Sequence, residues 1–292
     1  MSKKSKPQAR AKNSPPKQHK GKHNNASNNK PPNRLSANRQ STQQQRPKTP
    51  LLYGTHAVTE AWLNPKRQIN TLYITEQSLG SFEPAIEKAR SAGLKRPTPH
   101  IIDKAKLENL LPEAAVHQGL ALSAAPLPEY NAQDIIIKNE QTERPLIVIL
   151  DQVTDPHNIG AILRSACAFG ASALILQKKH APELTGVLAK TACGALEHVP
   201  VAFVTNLSRT IEEFQEAGYF SYGLDERGEE NIQHIAKTRD KTLIIMGAEG
   251  PGLRQNVKAH CDALLRLPMH GPMPSINVSN AAAITLYALT QK

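Results

Sequence analysis

The sequence predicts an α/β protein whose C-terminal half is built on a parallel sheet. Short apolar runs recur between residues 146 and 267, and helical stretches alternate with them. Runs that are apolar throughout, rather than at every second residue, are typical of strands covered on both faces. The chain of 292 residues is long enough for two ordinary domains. The strands predicted in this half are residues 146–150, 173–176, 199–204, 219–224, 243–247 and 263–267.

A smaller α/β unit is predicted ahead of this sheet. Its predicted helices span 53–63, 82–93 and 103–111, and its predicted strands span 69–74 and 119–125. The polar, proline-containing segment that follows reads as a linker or a partly ordered connection. The predicted boundaries are 50–126 for this first unit, 127–144 for the linker and 145–292 for the second unit.

Residues 1–49 are predicted to be a disordered basic tail. The first 50 residues carry 13 Lys and Arg but no Asp or Glu, whereas the rest of the chain has a net charge of −2. So few apolar residues cannot offset the entropy of ordering. A basic tail attracts polyanions, of which nucleic acid is the commonest in the cytoplasm. A solubilising extension without a target stays open, as does a transit peptide, although the tail lacks an amphipathic apolar face.

The remaining composition favours a cytoplasmic protein without metal. No apolar run approaches the roughly 20 residues of a membrane-spanning helix, and no signal peptide is expected. The three cysteines, Cys167, Cys193 and Cys261, have no metal-binding or redox spacing. They are expected to be small buried residues in a reducing compartment.

The first of three unusual loops leads from a buried strand into a helix over about 158–169. Apolar residues form one stripe of this helix, while Arg164 stands among the small residues Gly160, Ala161 and Ala168. In parallel sheets ligands bind outside the carboxyl ends of the strands, and Arg164 could reach that crevice. A surface arginine with a snorkelling stem is the alternative.

The second and third loops also follow predicted strands. Residues 246–253 place Glu249 among glycines, but their spacing fits neither a dinucleotide fingerprint nor a P-loop. After Leu267 come three prolines and a glycine, then a polar cluster at the start of the last helix. That cluster comprises Ser275, Asn277, Ser279 and Asn280. Capping the helix would explain one of its members but not all four.

Four segments resemble the SPOUT-class RNA 2′-O-ribose methyltransferases, and the likeness spans roughly residues 51–290. "DPHNIGAILRSA" is similar to the family motif N-x-G-x-x-x-R, and "IIMGAEGPGLR" to its glycine-rich motif. "LPMHGPMPSINVSNAAAI" resembles its S-L-N-V-S motif, with Ile276 where Leu is usual and Asn280 where Val is common. "KTACGALEHVP" also fits. The likeness is strongest to the TrmH-type branch that contains the bacterial 23S rRNA guanosine 2′-O-methyltransferase.

This resemblance implies a fold and a cofactor. The catalytic domain would be a trefoil-knotted sheet, an exception to the rule against knots, and would work as a homodimer with the active site at the interface. S-adenosylmethionine would be held mainly by backbone groups, with contacts at Gly247, Leu267 and Ile276. The first unit resembles the family's L30e-like RNA-binding domain.

The resemblance also assigns roles for transfer of a methyl group to a ribose 2′-hydroxyl. Arg164 is interpreted as a clamp on the neighbouring phosphate that also stabilises the developing alkoxide. A role as base stays open, although an arginine pKa above about 12 makes it a poor one. Asn158, Glu249, Ser275 and Asn277 would position substrate and cofactor.

The predicted substrate is a guanosine of 23S rRNA, and a tRNA guanosine is the alternative. Three other classes are weighed as well. A non-catalytic RNA-binding protein conflicts with the complete set of candidate residues, and an oxidoreductase conflicts with the glycine spacing. A cysteine-dependent base methyltransferase would need a thiol in a loop, but Cys167 lies within a predicted helix.

Overall fold

A computed structural model describes residues 51–235, 241–273 and 275–290. The predicted tail, residues 1–49, lies outside the described residues. The described segments all belong to one compact body. No helix in the described part of the chain is long and apolar enough to cross a membrane.

The first unit is a four-stranded mixed sheet with three helices. Its strands are β1 (Leu52–Tyr53), β2 (Ile69–Ile74), β3 (His100–Ile101) and β4 (Leu120–Ala124). Its helices are α1 (Thr55–Leu63), α2 (Glu76–Ser91) and α3 (Lys104–Leu110). The sheet order is β1-β4-β2-β3; β4 runs antiparallel to both of its neighbours, and β3 runs parallel to β2. The two-residue strands β1 and β3 were not predicted, because two residues carry no readable alternation. Helix α2 begins six residues earlier than predicted.

The second unit contains a seven-stranded sheet. Its strands are β5 (Leu146–Asp151), β6 (Ala173–Gln177), β7 (Val201–Val204), β8 (Phe220–Leu224), β9 (Glu230–Asn231), β10 (Thr242–Gly247) and β11 (Ala263–Arg266). The order is β7-β6-β5-β10-β8-β11-β9, and every paired strand runs parallel to its neighbour. The predicted parallel sheet is therefore confirmed.

Helices cover both faces of this sheet. They are α4 (Ala132–Lys138), α5 (Pro156–Ala168), α6 (Gly186–Ala192), α7 (Leu207–Glu216), α8 (Ile232–Ile235), α9 (Gln255–His260) and α10 (Val278–Thr290), with a 3₁₀ turn at Ala195–Glu197. Helix α4 lies inside the predicted linker. A reciprocal capping box of Asn131 and Asp134 starts it, and Ile135 buries it against the sheet.

The packing of strand β5 against two cores explains why its apolar residues do not alternate with polar ones. Val148 and Leu150 pack into the core that also contains residues of α5, α6, α10 and the first unit, whereas Ile147 and Ile149 pack into the core beside α4, α7 and α9. Successive side chains point to opposite faces, so a strand covered on both sides is apolar without alternation, as residues 146–150 are.

A buried ion pair joins the first unit to the second. The Arg67 guanidinium donates from Nε and Nη2 to the Glu197 carboxylate at 2.9–3.1 Å, and from Nη1 to the Ala125 carbonyl oxygen at 2.7 Å. Asn64 Nδ2 donates to the same carboxylate at 2.7 Å. The Arg67 and Glu197 side chains are 5% and 2% exposed. All three guanidinium nitrogens of Arg67 therefore donate hydrogen bonds, and those to Glu197 help to hold the first unit on the second.

Candidate functional site

The three predicted loops meet at the carboxyl edge of the parallel sheet. The loop before α5 follows β5, the glycine-rich loop follows β10, and the segment before α10 follows β11. The buried Asp151 carboxylate at the end of β5 accepts from the Arg254 backbone N at 2.9 Å and from its Nε at 2.8 Å. This buried contact fixes the end of the glycine-rich loop beside β5.

Asn277 links the three loops through its side chain. Its Nδ2 donates to Asn158 Oδ1 at 3.0 Å and to Glu249 Oε2 at 3.3 Å. Its Oδ1 accepts from the Ser279 backbone N at 2.8 Å and from Ser279 Oγ at 2.6 Å, as a helix-capping side chain does. Asn277 therefore caps α10 and also holds two of the other predicted residues. Asn158 lies in the first turn of α5, which Asp155 caps.

A cavity of about 330 Å³, here called the loop cavity, opens beside this cluster. Four of the predicted residues line it: Gly247, Glu249, Ser275 and Ile276. Leu267 does not line it, because that side chain packs against the hydrophobic core. The loop cavity thus gathers two of the three predicted cofactor-binding residues.

Gly247 allows the glycine-rich loop to fold back onto β10. A Cβ at this position would lie 2.1 Å from the Gly252 carbonyl carbon and 2.3 Å from the Leu253 N. Gly250 and Gly252 both have positive φ, at 86° and 66°, which favours glycine. Backbone geometry therefore explains the three glycines of this loop. Because glycine has no side chain, the loop lines the cavity largely with backbone atoms.

The prediction missed one wall of the loop cavity, the turn that follows β8. Asp225 of this turn forms an ion pair with Lys258 of α9, and both residues line the cavity. Partial burial acts to raise the pKa of Asp225, but hydrogen bonds from Lys258 and the Arg227 backbone and the charges of both residues outweigh it, so the pKa lies below its ordinary value. The signal was available: charged residues directly follow a predicted parallel strand.

Arg164 lies away from the loop cavity of its own chain. It is the ninth residue of α5, roughly 12 Å along the axis from the start of the helix at 1.5 Å per residue. It lines a second cavity of about 350 Å³, here called the junction groove, which α1 of the first unit forms with α5 and the segment after α6. Gly160 lies under α6, where an added Cβ would be 2.7 Å from the Leu188 carbonyl oxygen. That glycine therefore serves helix packing and not access to Arg164.

Cys167 and Cys261 do not resemble nucleophiles. Burial first, and the nearby Glu60 carboxylate second, raise the pKa of the Cys167 thiol. Burial, with the charges of Asp262 and Asp151, raises the pKa of Cys261 to about 12. Thiols with raised pKa values form little thiolate, which weighs against the cysteine-dependent alternative.

Comparison with known proteins identifies relatives over both units. The profile described as "SpoU rRNA Methylase family" matches residues 145–287, and that described as "RNA 2'-O ribose methyltransferase substrate binding" matches residues 51–130. The 23S rRNA (guanosine-2'-O-)-methyltransferase RlmB of Pseudomonas putida is 37% identical over 237 residues, covering 81% of this chain and 94% of that protein.

Two further likenesses are informative. An uncharacterized tRNA/rRNA methyltransferase of Synechocystis is 39% identical over 242 residues; the match covers 82% of this chain but 62% of that longer protein. The crystal structure of the SpoU methyltransferase AviRb from Streptomyces viridochromogenes, in complex with AdoMet, is 23% identical. It superposes with a TM-score of 0.65 over 82% of this chain and 88% of that one. At this identity the likeness concerns the fold.

Proposed function

The chain belongs to the SpoU rRNA methylase family, and we propose that it methylates the 2′-oxygen of a guanosine in 23S rRNA, with S-adenosylmethionine as donor. The observation that carries the proposal is the cluster in which Asn277 joins Asn158 and Glu249 beside the loop cavity. The relative named RlmB, 94% of which is covered by the match, supports the reaction and the rRNA substrate.

The loop cavity fits the cofactor in size and chemistry. Its volume of about 330 Å³ lies in the range of small-molecule sites. The close approach at Gly247 lets backbone groups line the site, and Glu249 offers a carboxylate to a cationic ligand. S-adenosylmethionine, when bound, supplies an activated methyl group. Gly247 and Ile276 are proposed to contact it directly, and Leu267 through the backbone end of β11.

The chain's own residues must orient the ribose and assist loss of its proton. Arg164 is exposed and has no ion pair among the described residues, so its guanidinium is free to bind a phosphate bidentately. Its charge would also stabilise the developing alkoxide. Asn158, Glu249, Ser275 and Asn277 are proposed to position the reacting groups from the other side.

The cofactor that the protein binds distinguishes a methyltransferase from an oxidoreductase. Calorimetry with the purified protein should detect binding of S-adenosylmethionine or of its demethylated product and should detect no binding of NAD. Tight NAD binding without a response to S-adenosylmethionine would contradict the proposed function.

Mapping of 2′-O-methyl groups in total RNA identifies the substrate. A strain that lacks the gene should lose one guanosine mark in 23S rRNA, in the peptidyl-transferase region, and keep its tRNA marks. Loss of a tRNA mark with intact rRNA would favour the alternative substrate. Because rRNA is made and modified there, we place the protein in the cytoplasm.

We further propose a homodimer whose active sites combine residues of both chains. Arg164 does not line the loop cavity of its own chain. In a dimer, the arginine that acts at this cavity would come from the partner chain. Helix α10 exposes Ile284 and Tyr287, which are 49% and 54% exposed, on one face. Burial of such apolar side chains is a common basis for association.

A mixed dimer of Arg164→Ala and Gly247→Ala chains tests this arrangement. If each site pairs one chain's cavity with the other chain's arginine, one of the two sites retains both wild-type elements and about half of the activity remains. If each site lies within one chain, neither site keeps both wild-type elements, and the mixed dimer is as impaired as the parent homodimers. Light scattering of Tyr287→Glu, which should be monomeric, provides the oligomeric control.

The fold and the tail complete the proposal. We infer a trefoil knot in the second unit and an L30e-like RNA-binding role for the first unit, and we propose that residues 1–49 contribute to RNA binding. A knot would shorten the contour length when the chain is pulled from both ends, because the tightened knot retains residues. Deletion of residues 1–48 should leave folding and cofactor binding intact. RNA affinity should fall, and it should depend less steeply on salt concentration.

A further inference from the structure

The junction groove is formed jointly by the two units. His56 and Glu60 on α1 provide one wall, and Arg164 on α5 provides the other. A Cβ on Gly194, which follows α6, would lie 2.3 Å from Glu60 Cγ, so this glycine permits the close approach of α1. The Lys190 Nζ, which donates to Gln118 Oε1 at 2.5 Å, also ties the units together. Close packing between the units therefore sets the width of the groove.

The polar groups of the groove favour an anionic ligand. Among the described residues that line it, Glu60 is the only carboxylate, and its Oε2 lies 2.9 Å from His198 Nε2. Arg164 and His56 are exposed, and neither has an ion pair or a hydrogen-bonded side-chain partner in the described part of the chain. Two unpaired nitrogen donors from different units thus face one concave surface, while its carboxylate already has a partner.

We propose that the junction groove binds the backbone of the RNA strand that carries the target nucleotide. His56 of the first unit and Arg164 of the second would contact neighbouring phosphates of that strand. Sequence-specific RNA recognition mostly uses single-stranded segments, whose backbone such a groove can follow. The first unit would then not only recognise the RNA at a distance but also help to form the site where Arg164 acts. This inference rests on the proposed function.

The test compares His56 with a histidine outside the groove. His56→Glu places a carboxylate opposite Arg164, and His56→Ala removes the donor. His100→Glu and His100→Ala are matched controls, because His100 is exposed on β3, at the opposite edge of the first unit's sheet from β1. The substrate is 23S rRNA from a strain that lacks the gene, and the enzyme is the full chain.

His56→Glu should raise the KM for RNA on the order of tenfold, and His56→Ala by a smaller factor, as expected for a lost phosphate contact. The affinity for S-adenosylmethionine should stay within about twofold of the wild type, because His56 does not line the loop cavity. The salt dependence of RNA binding should also become shallower for His56→Glu. Equal KM values for His56→Glu and His100→Glu would overturn the proposal. So would a shift of His56→Glu to monomer with unchanged RNA affinity, because the groove would then be a protein interface.

A double-mutant cycle gives a second, independent readout. RNA affinities of His56→Glu, Arg164→Ala and the double variant should be non-additive, because both residues act on one strand in one groove. Additive losses would overturn the shared groove. Failure of the proposed function has a different signature: the wild-type protein would neither bind S-adenosylmethionine nor methylate RNA.

Discussion

The loop cavity and the junction groove use their polar side chains in opposite ways. At the loop cavity, Asn277 uses both ends of its amide to hold Asn158, Glu249 and the start of α10. In the junction groove, Arg164 and His56 have no partner among the described residues. A cavity whose polar groups bind one another is preorganised and needs little rearrangement to accept a ligand. Exposed, unpaired donors depend on the ligand for their partner, which suits a long, charged polymer that binds and leaves.

A buried ion pair joins the two units, and breaking that pair should have the largest effect. Arg67→Met leaves the Glu197 carboxylate buried without its charge partner, so the free energy of unfolding should fall by roughly 3–5 kcal/mol. Urea denaturation measures it. Arg209→Met is the matched control: its pair with Glu213 is exposed on α7, and the loss should stay below about 1 kcal/mol. Equal losses in the two variants would show that the Arg67 contact does not hold the units together.

Arg164→Ala should separate the two regions by activity. Single-turnover methyl transfer should slow by roughly 10²–10³-fold, as when one stabilising donor is removed, while the affinity for S-adenosylmethionine stays unchanged. A near-wild-type rate would mean that Arg164 is only a surface residue. Arg164→Lys distinguishes its roles. A planar clamp should lose most of its activity with lysine, whereas a proton acceptor should retain activity that rises steeply with pH.

Gly247→Ala should affect the loop cavity and spare the groove. The added methyl group would overlap the Gly252 backbone, and such overpacking typically costs about 1–3 kcal/mol, so cofactor affinity should fall about tenfold or more. RNA affinity without cofactor should be unchanged. Gly80→Ala is the control, because a Cβ added at this position on α2 would contact no other part of the chain within 4 Å. It should leave cofactor affinity unchanged. Normal cofactor binding by Gly247→Ala would remove this loop from the site.

The smallest expected effect concerns the Asp225–Lys258 wall. The pKa of Asp225 is lowered in the folded protein, so its charge stabilises the fold above the ordinary value of 3.8, and this contribution is lost as pH falls through the lower folded pKa. Asp225→Asn should therefore lower the Tm at pH 7 and at pH 5, and the difference from wild type should shrink below pH 4. A Tm difference that does not vary between pH 7 and pH 3 would contradict this linkage.

Local sequence patterns predicted the parts of the molecule that neighbouring residues control. The apolar run of β5 implied a strand covered on both faces, because each of its residues contacts one of two cores. Glycines and polar residues after strands placed Gly247, Glu249 and Asn277 in one crevice, because parallel strands end at the same edge. Periodicity could not resolve β1 and β3, which are only two residues long.

Tertiary structure alone decided which distant side chains meet. Arg254 reaches Asp151 across 103 residues of sequence, and Arg67 reaches Glu197 across 130. The place of Arg164 depends on where α1 and α6 pack against α5, which the helix's own pattern does not contain. Secondary structure follows from interactions a few residues apart, so the sequence could determine the elements and the loops. Contacts between loops depend on how whole elements pack, and so only the folded chain separates the loop cavity from the junction groove.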